Sequence, residues 1–226
     1  MRRIAMLMGV VVLALAVGGT IAAADSVQYS DSISLTKTNW SSTVTIPKFN
    51  SALGNLTSIE FYLDGYVEGS AKFESEDLEP TVVTMDLSAM LKLFRPNNTL
   101  LVVTIPVALT LDNASAFDGI IDYAGTSGKS YTGLNASKTE STTSSPPSSD
   151  LALFTGTGNI ILPVSGTGAS TGSGAGNLNL KFSTSASAIA RVKYYYDVVP
   201  EPSGIAVILT GLAGLGGFAR LRRKSR

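Results

Sequence analysis

The chain of 226 residues contains no cysteine and no histidine. Without cysteine it can form neither a disulfide nor a thiolate nucleophile, and without histidine it cannot build a Ser-His-Asp or Cys-His catalytic group. The usual zinc, copper and haem sites also need these side chains. The fold must therefore be stabilised by apolar burial. We predict a protein that is not an enzyme, with no catalytic residue, no metal site and no cofactor.

Positive charge is scarce in the body of the chain. The whole chain balances 17 Lys and Arg against 17 Asp and Glu, but seven of the cations lie near the two ends. Residues 25–199 carry ten cationic and sixteen acidic side chains, so this central part is acidic. Because no basic stripe is present to neutralise phosphates, we expect no nucleic-acid partner.

The first 24 residues are typical of a secretory signal peptide. Two arginines precede an uncharged run, which leads to three small residues: Arg2, Arg3, Ile4–Val17 and Ala22–Ala24. The run is short for a membrane span, and small side chains fit the narrow pocket of a signal peptidase. We predict export by the general secretory route, with Ala22 and Ala24 recognised and cleavage before Asp25.

A second apolar run lies near the end of the chain and is followed by a basic tail. The seventeen residues of Ser203–Ala219 would extend about 25 Å as a helix, against a hydrocarbon core of about 30 Å. Five cations follow this run: Arg220, Arg222, Arg223, Lys224 and Arg226. Because cations are costly to translocate, the pattern predicts a short transmembrane helix with the tail in the cytoplasm and the body outside.

Five residues join the body to this helix: Val199, Pro200, Glu201, Pro202 and Ser203. The two prolines lack amide hydrogens and hold their neighbours extended, so this strip is accessible to a protease. The order of Pro-Glu-Pro, short apolar helix and Arg-rich tail over residues 200–226 resembles the PEP-CTERM sorting signal of Gram-negative bacteria. The resemblance implies that Val199–Ser203 is recognised by an exosortase, a membrane cysteine peptidase that removes the tail.

Apolar residues recur at every second position in several stretches of residues 25–199. The clearest sets are Ile33 and Leu35; Val44 and Ile46; Ile59, Phe61 and Leu63; Leu178, Leu180 and Phe182; and Ala188, Ala190, Val192, Tyr194 and Tyr196. Period two is typical of strands with one buried face. The sequence therefore predicts an all-β domain, an antiparallel β-sandwich with a jelly-roll-like arrangement, between an N-terminal signal helix and the C-terminal transmembrane helix.

Other segments of the domain are predicted from their composition. Thr99–Asp112 is typical of an apolar strand with a kink or bulge at Pro106, and residues 150–166 suggest two more strands. Thr84–Phe94 is the segment that is compatible with a helix, which Pro96 would limit.

Two polar segments predict connections rather than strands. Asn135–Asp150 is too polar to bury and predicts a mobile loop, while Ser165–Asn177 predicts a long Gly/Ser hairpin connection. We interpret both as solvated connectors, with a binding loop as the alternative.

The domain also looks like the choice-of-anchor E domain, a module of bacterial surface proteins that carry differing C-terminal anchors. The similar segments are IPKFNSALGNLTSIEFYLDGYVEG, FTGTGNIILPVSGTG and ARVKYYYDVVPEP, with Phe49, Leu53, Gly54, Leu56, Gly156, Gly158 and Tyr194–Tyr196 as the positions that carry the resemblance. The resemblance implies display at the cell surface and assigns no activity. In such modules the last strand leads directly into the sorting signal.

Acidic residues form the densest polar cluster: Glu74, Glu76, Asp77 and Glu79, with Glu60, Asp64 and Glu68 upstream. Calcium needs six to eight oxygen ligands, but neither this cluster nor the set of Asp112, Asp118 and Asp122 has the regular spacing of a calcium loop. We interpret the cluster as a solvated acidic face. Calcium binding and glycoside hydrolysis by paired carboxylates are the alternatives.

Four aromatic residues of the domain offer a possible platform for sugar rings. Trp40 and Tyr194–Tyr196 are the candidates. Alternation places Tyr194 and Tyr196 on the face of Val192, so we expect these two in the core and Tyr195 on the opposite face.

Taken together, these patterns predict an exported protein of the cell surface or extracellular matrix with a structural or interaction role. A signal peptide (residues 1–24), a β-sandwich (25–199) and a sorting signal (200–226) follow one another. The precursor would lie transiently in the inner membrane, with signal peptidase and exosortase as partners. One alternative is a carbohydrate- or calcium-binding matrix module, for which exopolysaccharide is a partner, and another is a permanently membrane-tethered surface protein.

Overall fold

A computed structural model of the chain describes residues 24–174 and 176–198. The elements are β1 Ala24–Lys37, β2 Trp40–Pro47, β3 Asn55–Ser75, β4 Thr81–Phe94, β5 Leu100–Thr104, β6 Val107–Ala114, β7 Gly128–Ser144, α1 Asp150–Phe154, β8 Asn159–Gly168, β9 Thr171–Ser173 and β10 Leu178–Asp197. Across the described ranges, no helix has both the length and the apolar character needed to cross a membrane. The predicted signal helix and transmembrane helix lie outside these ranges.

The strands form two antiparallel sheets. The first sheet has the order β1-β10-β3-β7, and the second has the order β2-β8-β4-β5, with β6 and β9 also paired with β4. Neighbours in the sheets are often far apart in sequence, as when β1 pairs with β10. The prediction of an all-β domain is confirmed.

Alternation along β3 and β10 builds the centre of the first sheet. Ile59, Phe61 and Leu63 are fully buried on β3, and the register places Phe61 opposite Val192 and Ile59 opposite Tyr194 on β10. The intervening residues point to the other face of the sheet, because successive side chains of a strand alternate. Period two in the sequence therefore locates these two strands and their buried face.

The buried faces of both sheets meet in one large apolar cluster. Its members come from six strands, the β2–β3 connection and α1: Val44, Ile46, Phe49, Ile59, Phe61, Leu63, Val67, Leu87, Ala89, Leu91, Leu93, Leu101, Val102, Phe154, Ile160, Leu162, Val164, Ala186, Ala188, Ala190, Val192, Tyr194 and Tyr196. A second, smaller cluster lies toward one end of the unit and consists of Ala71, Phe73, Val83, Met85 and Ala114. The apolar core is therefore much thinner at that end.

The segment predicted to be compatible with a helix is a strand, and that prediction is wrong. Thr84–Phe94 belongs to β4, in which Met85, Leu87 and Leu91 are buried on one face. Leu87 and Leu91 lie four residues apart, a spacing that suits either a helix or a strand. Long-range pairing with β8 decides between the two.

The prediction of a mobile loop over Asn135–Asp150 is also wrong. Residues up to Ser144 belong to β7, which pairs with β3 through most of its length. β7 lies at the edge of the first sheet and is largely exposed. Polar side chains such as Ser, Thr and Asn can therefore occupy both faces of this strand. Polarity here marks an edge strand rather than a connection.

Three further segments differ in detail from the expectations. Residues 150–154 form the short helix α1 rather than a strand, while Asn159–Gly168 is the strand β8. The predicted Gly/Ser connection contains the end of β8 and all of β9, so its described residues outside strands are 169–170, 174 and 176–177. The segment predicted as one strand with a kink or bulge at Pro106 is two strands, β5 and β6, which are separated by residues 105–106.

A buried ion pair fixes the start of α1 against the second sheet. Asp150 is 1% exposed and receives two hydrogen bonds from the Arg95 guanidinium, at 2.6 and 2.8 Å, and one from Ser144 at 2.6 Å. The hydrogen bonds from Arg95 hold the pKa of Asp150 below its ordinary value. The bidentate geometry makes this pair stronger than a typical surface ion pair.

We predict that Asp150→Asn lowers the free energy of unfolding by about 2 kcal/mol at pH 7, because Arg95 loses a charged partner. The folded-state pKa of Asp150 is lowered, so its contribution is complete above the unfolded-state pKa of about 4 and disappears as the pH falls through the folded-state pKa. The difference between wild type and variant should therefore shrink below about pH 4. Urea unfolding followed by circular dichroism at pH 7 and pH 3 measures both values.

A matched control for this experiment is Glu140→Gln, which removes the exposed pair between Lys138 and Glu140. We expect a change within about 0.5 kcal/mol, since exposed pairs contribute little. Equal effects of the two substitutions at pH 7 would contradict the importance of the buried pair.

Candidate functional site

Three connections meet at the end of the unit where the apolar core is thin. They are residues 76–80, residues 115–127 and residues 174–177, and Asp77 links them. The Asp77 carboxylate accepts hydrogen bonds from the backbone N–H groups of Gly176 and Asn177, at 2.7 and 3.0 Å. The Asp77 carbonyl accepts one from Phe117 at 2.8 Å. We call the 115–127 connection the long loop.

A buried carboxylate holds the long loop against the first sheet. Glu74 on β3 is 0% exposed, and its two oxygens accept hydrogen bonds from the Tyr123 N–H and the Ser127 hydroxyl, each at 2.7 Å. The interpretation of Glu74 as part of a solvated acidic face is therefore wrong. Glu74 points outward from β3, but the long loop folds over it.

Gly128 allows this close approach. It is paired directly with Glu74 in the β3–β7 ladder. A Cβ atom at Gly128 would lie 2.2 Å from a Glu74 carboxylate oxygen. Only glycine leaves room for the buried carboxylate at this position.

Tyr123 has a backbone conformation that non-glycine residues rarely adopt, with φ of 59°. Besides the bond from its N–H to Glu74, its hydroxyl donates to Asn179 at 2.9 Å and its carbonyl accepts from the Ser130 hydroxyl at 2.9 Å. The Lys181 ammonium lies 4.6 Å from the centre of its ring. Four separate contacts therefore hold a strained residue, an arrangement typical of preorganised binding sites.

The long loop borders an open cleft of about 650 Å³. The side chains and backbone around it are mostly polar: Phe73, Asp112, Asn113, Ser115, Asp122, Tyr123, Ala124, Gly125, Thr126, Gly128, Lys129 and Ser130. The lining combines carboxylates, hydroxyls, an amide, an ammonium group and an aromatic ring. These groups can donate hydrogen bonds to a ligand rich in hydroxyl groups and can accept hydrogen bonds from it.

Asp112 and Lys129, which line the cleft, form a hydrogen-bonded triad with Tyr131. The Lys129 ammonium and the Tyr131 hydroxyl both donate hydrogen bonds to the Asp112 carboxylate. The hydrogen bond from Lys129, followed by that from Tyr131, lowers the pKa of Asp112, and the same carboxylate raises the pKa of Lys129. Burial, followed by the hydrogen bond to Asp112, raises the pKa of Tyr131. At neutral pH the triad therefore contains a carboxylate, an ammonium and an un-ionised phenol.

The other acidic residues that the structure describes do not gather into a metal site. Within the described ranges, no group of three or more Asp or Glu side chains is placed to hold a metal ion. Asp64 instead receives two hydrogen bonds from Arg191, at 2.6 and 2.8 Å, and Glu60 receives one from Tyr195 at 2.9 Å. Asp112 and Asp122 border the same cleft, whereas Asp118 is not among its lining residues.

The aromatic residues near the end of the domain are distributed as predicted. Tyr194 and Tyr196 are buried, and the Tyr194 hydroxyl donates to the Pro47 carbonyl at 2.9 Å. Tyr195 lies on the opposite face, where the Lys193 ammonium is 4.7 Å from its ring centre. The Trp40 ring lies over Gly166, where an added Cβ would come within 2.5 Å of it. These four residues therefore do not form one platform.

The predicted processing sites lie almost entirely outside the described residues. This holds for Ala22, Val199, Pro200, Glu201, Pro202, Ser203, Arg220, Arg222, Arg223, Lys224 and Arg226. Ala24 and Asp25 are described, and they begin strand β1. The Asp25 carboxylate accepts hydrogen bonds from the Ser26 N–H and, at 3.2 Å, from the Tyr196 hydroxyl.

The sequence did not identify Tyr123, Ser127 or Lys129 as site residues. Tyr123 and Glu74 are 49 positions apart, and no local pattern links them. The available signals were the glycines of the segment AGTSGKSY, which are typical of a tight connection, and a carboxylate next to the apolar Phe73. Neither signal states which residues meet.

We predict that Glu74→Ala frees the long loop, because the Tyr123 N–H and the Ser127 hydroxyl lose their acceptor. Amide exchange at Tyr123 should become about 10- to 100-fold faster, as expected for the loss of one buried charged acceptor. Hydrogen exchange followed by mass spectrometry measures this change. Glu74→Gln should have a smaller effect, since an amide oxygen can still accept from Tyr123.

Glu79→Ala is the control, since Glu79 is exposed at the same end of the unit. It should leave exchange of the long loop unchanged. If exchange at Tyr123 is equally slow in Glu74→Ala and wild type, Glu74 does not hold the loop.

No family model matches this chain, and no curated protein matches it. Among solved structures, a chain of the T13 particle of infectious bursal disease virus is 11% identical, with a TM-score of 0.22 over 78% of this chain and 40% of that one. A chain of the Gt strain of the same virus is 12% identical, with a TM-score of 0.18 over 79% of this chain and 36% of that one. A chain of a VP2 subviral particle of this virus is 12% identical, with a TM-score of 0.20 over 78% of this chain and 37% of that one. This chain spans less than half the length of these viral chains, and likenesses at these TM-scores do not bear on its function.

Proposed function

We propose that the chain is an exported, non-enzymatic protein of the cell surface or extracellular matrix, whose all-β unit is a jelly-roll-like sandwich that binds a neutral saccharide. The strand order supports the jelly-roll arrangement. Counting β5 with β6 and β8 with β9 gives eight strands, four in each sheet, and their order becomes 1-8-3-6 and 2-7-4-5. Eight strands in two such sheets are typical of jelly rolls.

Delivery to the surface is proposed from the two ends of the sequence. The signal peptide directs export, and the helix of residues 203–219 holds the precursor in the inner membrane. Exosortase recognition of Val199–Ser203 then releases the body from its basic tail. The support for this step is the order of the three features in residues 200–226.

Replacement of Pro200, Glu201 and Pro202 by alanine should leave unprocessed precursor in the inner membrane, because the extended strip is lost while the apolar helix remains. Cell fractionation and mass spectrometry of the C-terminal peptides measure the result in the native producer. Substituting Ser183, Ser185 and Ser187 by alanine is the control within β10 and should not change processing. Normal mature protein outside the cell from the first variant would contradict the sorting proposal, as would wild-type surface protein that retains its tail.

Saccharide binding is proposed for the cleft beside the long loop. The observation that carries this proposal is the strained Tyr123, which is held in place by Glu74, Asn179, Ser130 and Lys181. A loop held in this way has little conformational entropy left to lose when a ligand binds.

The chemistry of the cleft favours a neutral sugar. Asp112 and Asp122 can accept hydrogen bonds from hydroxyl groups, and Lys129 can donate one. Two carboxylates against one ammonium disfavour a polyanionic ligand. Tyr123 also lines the cleft and offers aromatic surface to the C–H groups of a sugar ring.

Lys129→Ala should weaken saccharide binding about 10- to 100-fold, because a charged hydrogen-bond donor in the cleft is lost. The measurement is isothermal titration of the full-length protein with neutral oligosaccharides of glucose, galactose, mannose and N-acetylhexosamines. Lys138→Ala is a closely matched control, since both lysines lie on β7, form an ion pair and have side chains that are 51% exposed. Folded wild-type protein that binds none of these sugars, or equal losses in the two variants, would contradict the saccharide proposal.

A further inference from the structure

Strand β6 is an unpaired edge of the second sheet. Within residues 24–174 and 176–198, it pairs with β4 on one side and with no strand on the other. Every second N–H and C=O group along such an edge is directed away from the sheet and is available to another strand. The edge extends from Val107, directly after Pro106, to Ala114.

The outward row of β6 is unusually apolar. Val107, Leu109 and Leu111 are 44%, 65% and 66% exposed. Their neighbour Val82 on β4 is exposed as well, and the register places it on the same face of the sheet. These side chains therefore form a continuous apolar strip along the free edge.

The other long edge strands have polar outward rows, apart from Leu35 near the end of β1, which is 46% exposed. The register places these residues outward: on β1 Ser26, Gln28, Ser30 and Ser32; on β2 Ser41, Thr43 and Thr45; and on β7 Asn135, Ser137, Thr139, Ser141 and Thr143. Polar edges are how soluble β proteins avoid unwanted pairing. Because β1 has one such exposed leucine whereas β6 has a row of three exposed apolar side chains, the row on β6 indicates a surface that is covered in use.

We propose that β6 pairs in antiparallel fashion with β6 of a second copy of this chain, around a two-fold axis at Thr110. This register joins residues 107–113 of the two copies. It places Leu109 opposite Leu111 of the second copy and, by symmetry, Leu111 opposite its Leu109. The apolar strip is therefore complementary to itself, as a two-fold interface requires.

The polar residues of the strand fit the same register. Thr110 meets Thr110 of the second copy on the inward face, a favourable cross-strand pair. Asp112 lies opposite Ala108, so no two carboxylates face each other. The charge of Asp112 is already neutralised by Lys129 within its own chain. This charge pattern favours a second copy of the chain over a basic partner protein.

The pairing joins the two second sheets into one sheet that continues through the dimer. Its contacts are limited to one strand and the adjoining apolar strip of each copy. Specific interfaces usually bury more than about 1,000 Å², and a single paired edge lies near that lower limit. We therefore expect a dimer that dissociates on dilution.

Sedimentation velocity of the full-length chain in mild detergent tests this pairing across a range of concentrations. The wild type should shift from monomer to dimer as its concentration rises. The double variant L109K/L111K should stay monomeric at every concentration, because opposed lysines repel and disrupt the apolar strip. Because both leucines are largely exposed, we expect the double variant to fold. Circular dichroism checks this.

Ile161→Lys is the matched control. Ile161 is 57% exposed on the outward face of the same sheet, but its strand β8 is flanked by β2 and β4. This variant should dimerise as the wild type does. A wild type that is monomeric throughout, or a dimer that L109K/L111K leaves intact, overturns the proposal. A dimer that Ile161→Lys disrupts as strongly also overturns it, since association would then involve the sheet face instead of the edge.

The absence of cysteine allows the register to be tested directly. A Thr110→Cys variant has a single thiol, and the two thiols of the dimer would lie directly opposite each other, at a Cα separation compatible with a disulfide. Mild oxidation should give a covalent dimer much faster than for Thr43→Cys, which places a thiol on the polar edge strand β2. Equal rates of cross-linking for the two variants would contradict the register.

Discussion

The structure depends on one extended antiparallel pairing, that of β3 with β10 along the centre of the first sheet. The register follows these strands over twenty residue pairs with a single irregularity. Their buried faces supply Phe61, Val192 and Tyr194 to the large apolar cluster. In a chain without disulfides, this burial between two sheets is the principal source of stability. β1 pairs with β10 and β7 pairs with β3, so both edge strands of the first sheet are built on these two strands.

The same two strands extend beyond the large cluster, and polar contacts take over where the core becomes thin. At that end only Ala71, Phe73, Val83, Met85 and Ala114 form an apolar cluster. Carboxylates there bind backbone N–H groups: Asp77 binds two across the connections, and Glu74 binds that of Tyr123. These bonds satisfy donors that would otherwise be left without partners under the loop. The same hydrogen bonds that hold the connections over this end of the unit therefore also fix the loop geometry that shapes the cleft.

The alternation of apolar and polar residues predicted those strands that have one buried apolar face and one polar face. Ile59, Phe61 and Leu63 identified β3 because one face is buried in apolar contacts and the other is polar. β7 was missed because both of its faces are polar, and β4 was ambiguous because Leu87 and Leu91 suit two periods. Contacts of the candidate site join residues about 50 positions apart, such as Glu74 with Tyr123 and with Ser127. The strand order that brings them together is a property of the whole chain, so no short segment contains that information.

The cleft and the free edge share strand β6, and this links the two proposals. Asp112 and Asn113 border the cleft, while Val107, Leu109 and Leu111 form the outward row of the same strand. A dimer paired around Thr110 would therefore have two clefts, one from each copy, on opposite sides of the two-fold axis. A repetitive saccharide offers the same group many times, so two clefts held in one rigid body would bind it with a higher effective concentration than two separate molecules. A weak cleft and a weak edge could in this way give firm attachment to a polymer, because neither contact has to be strong alone.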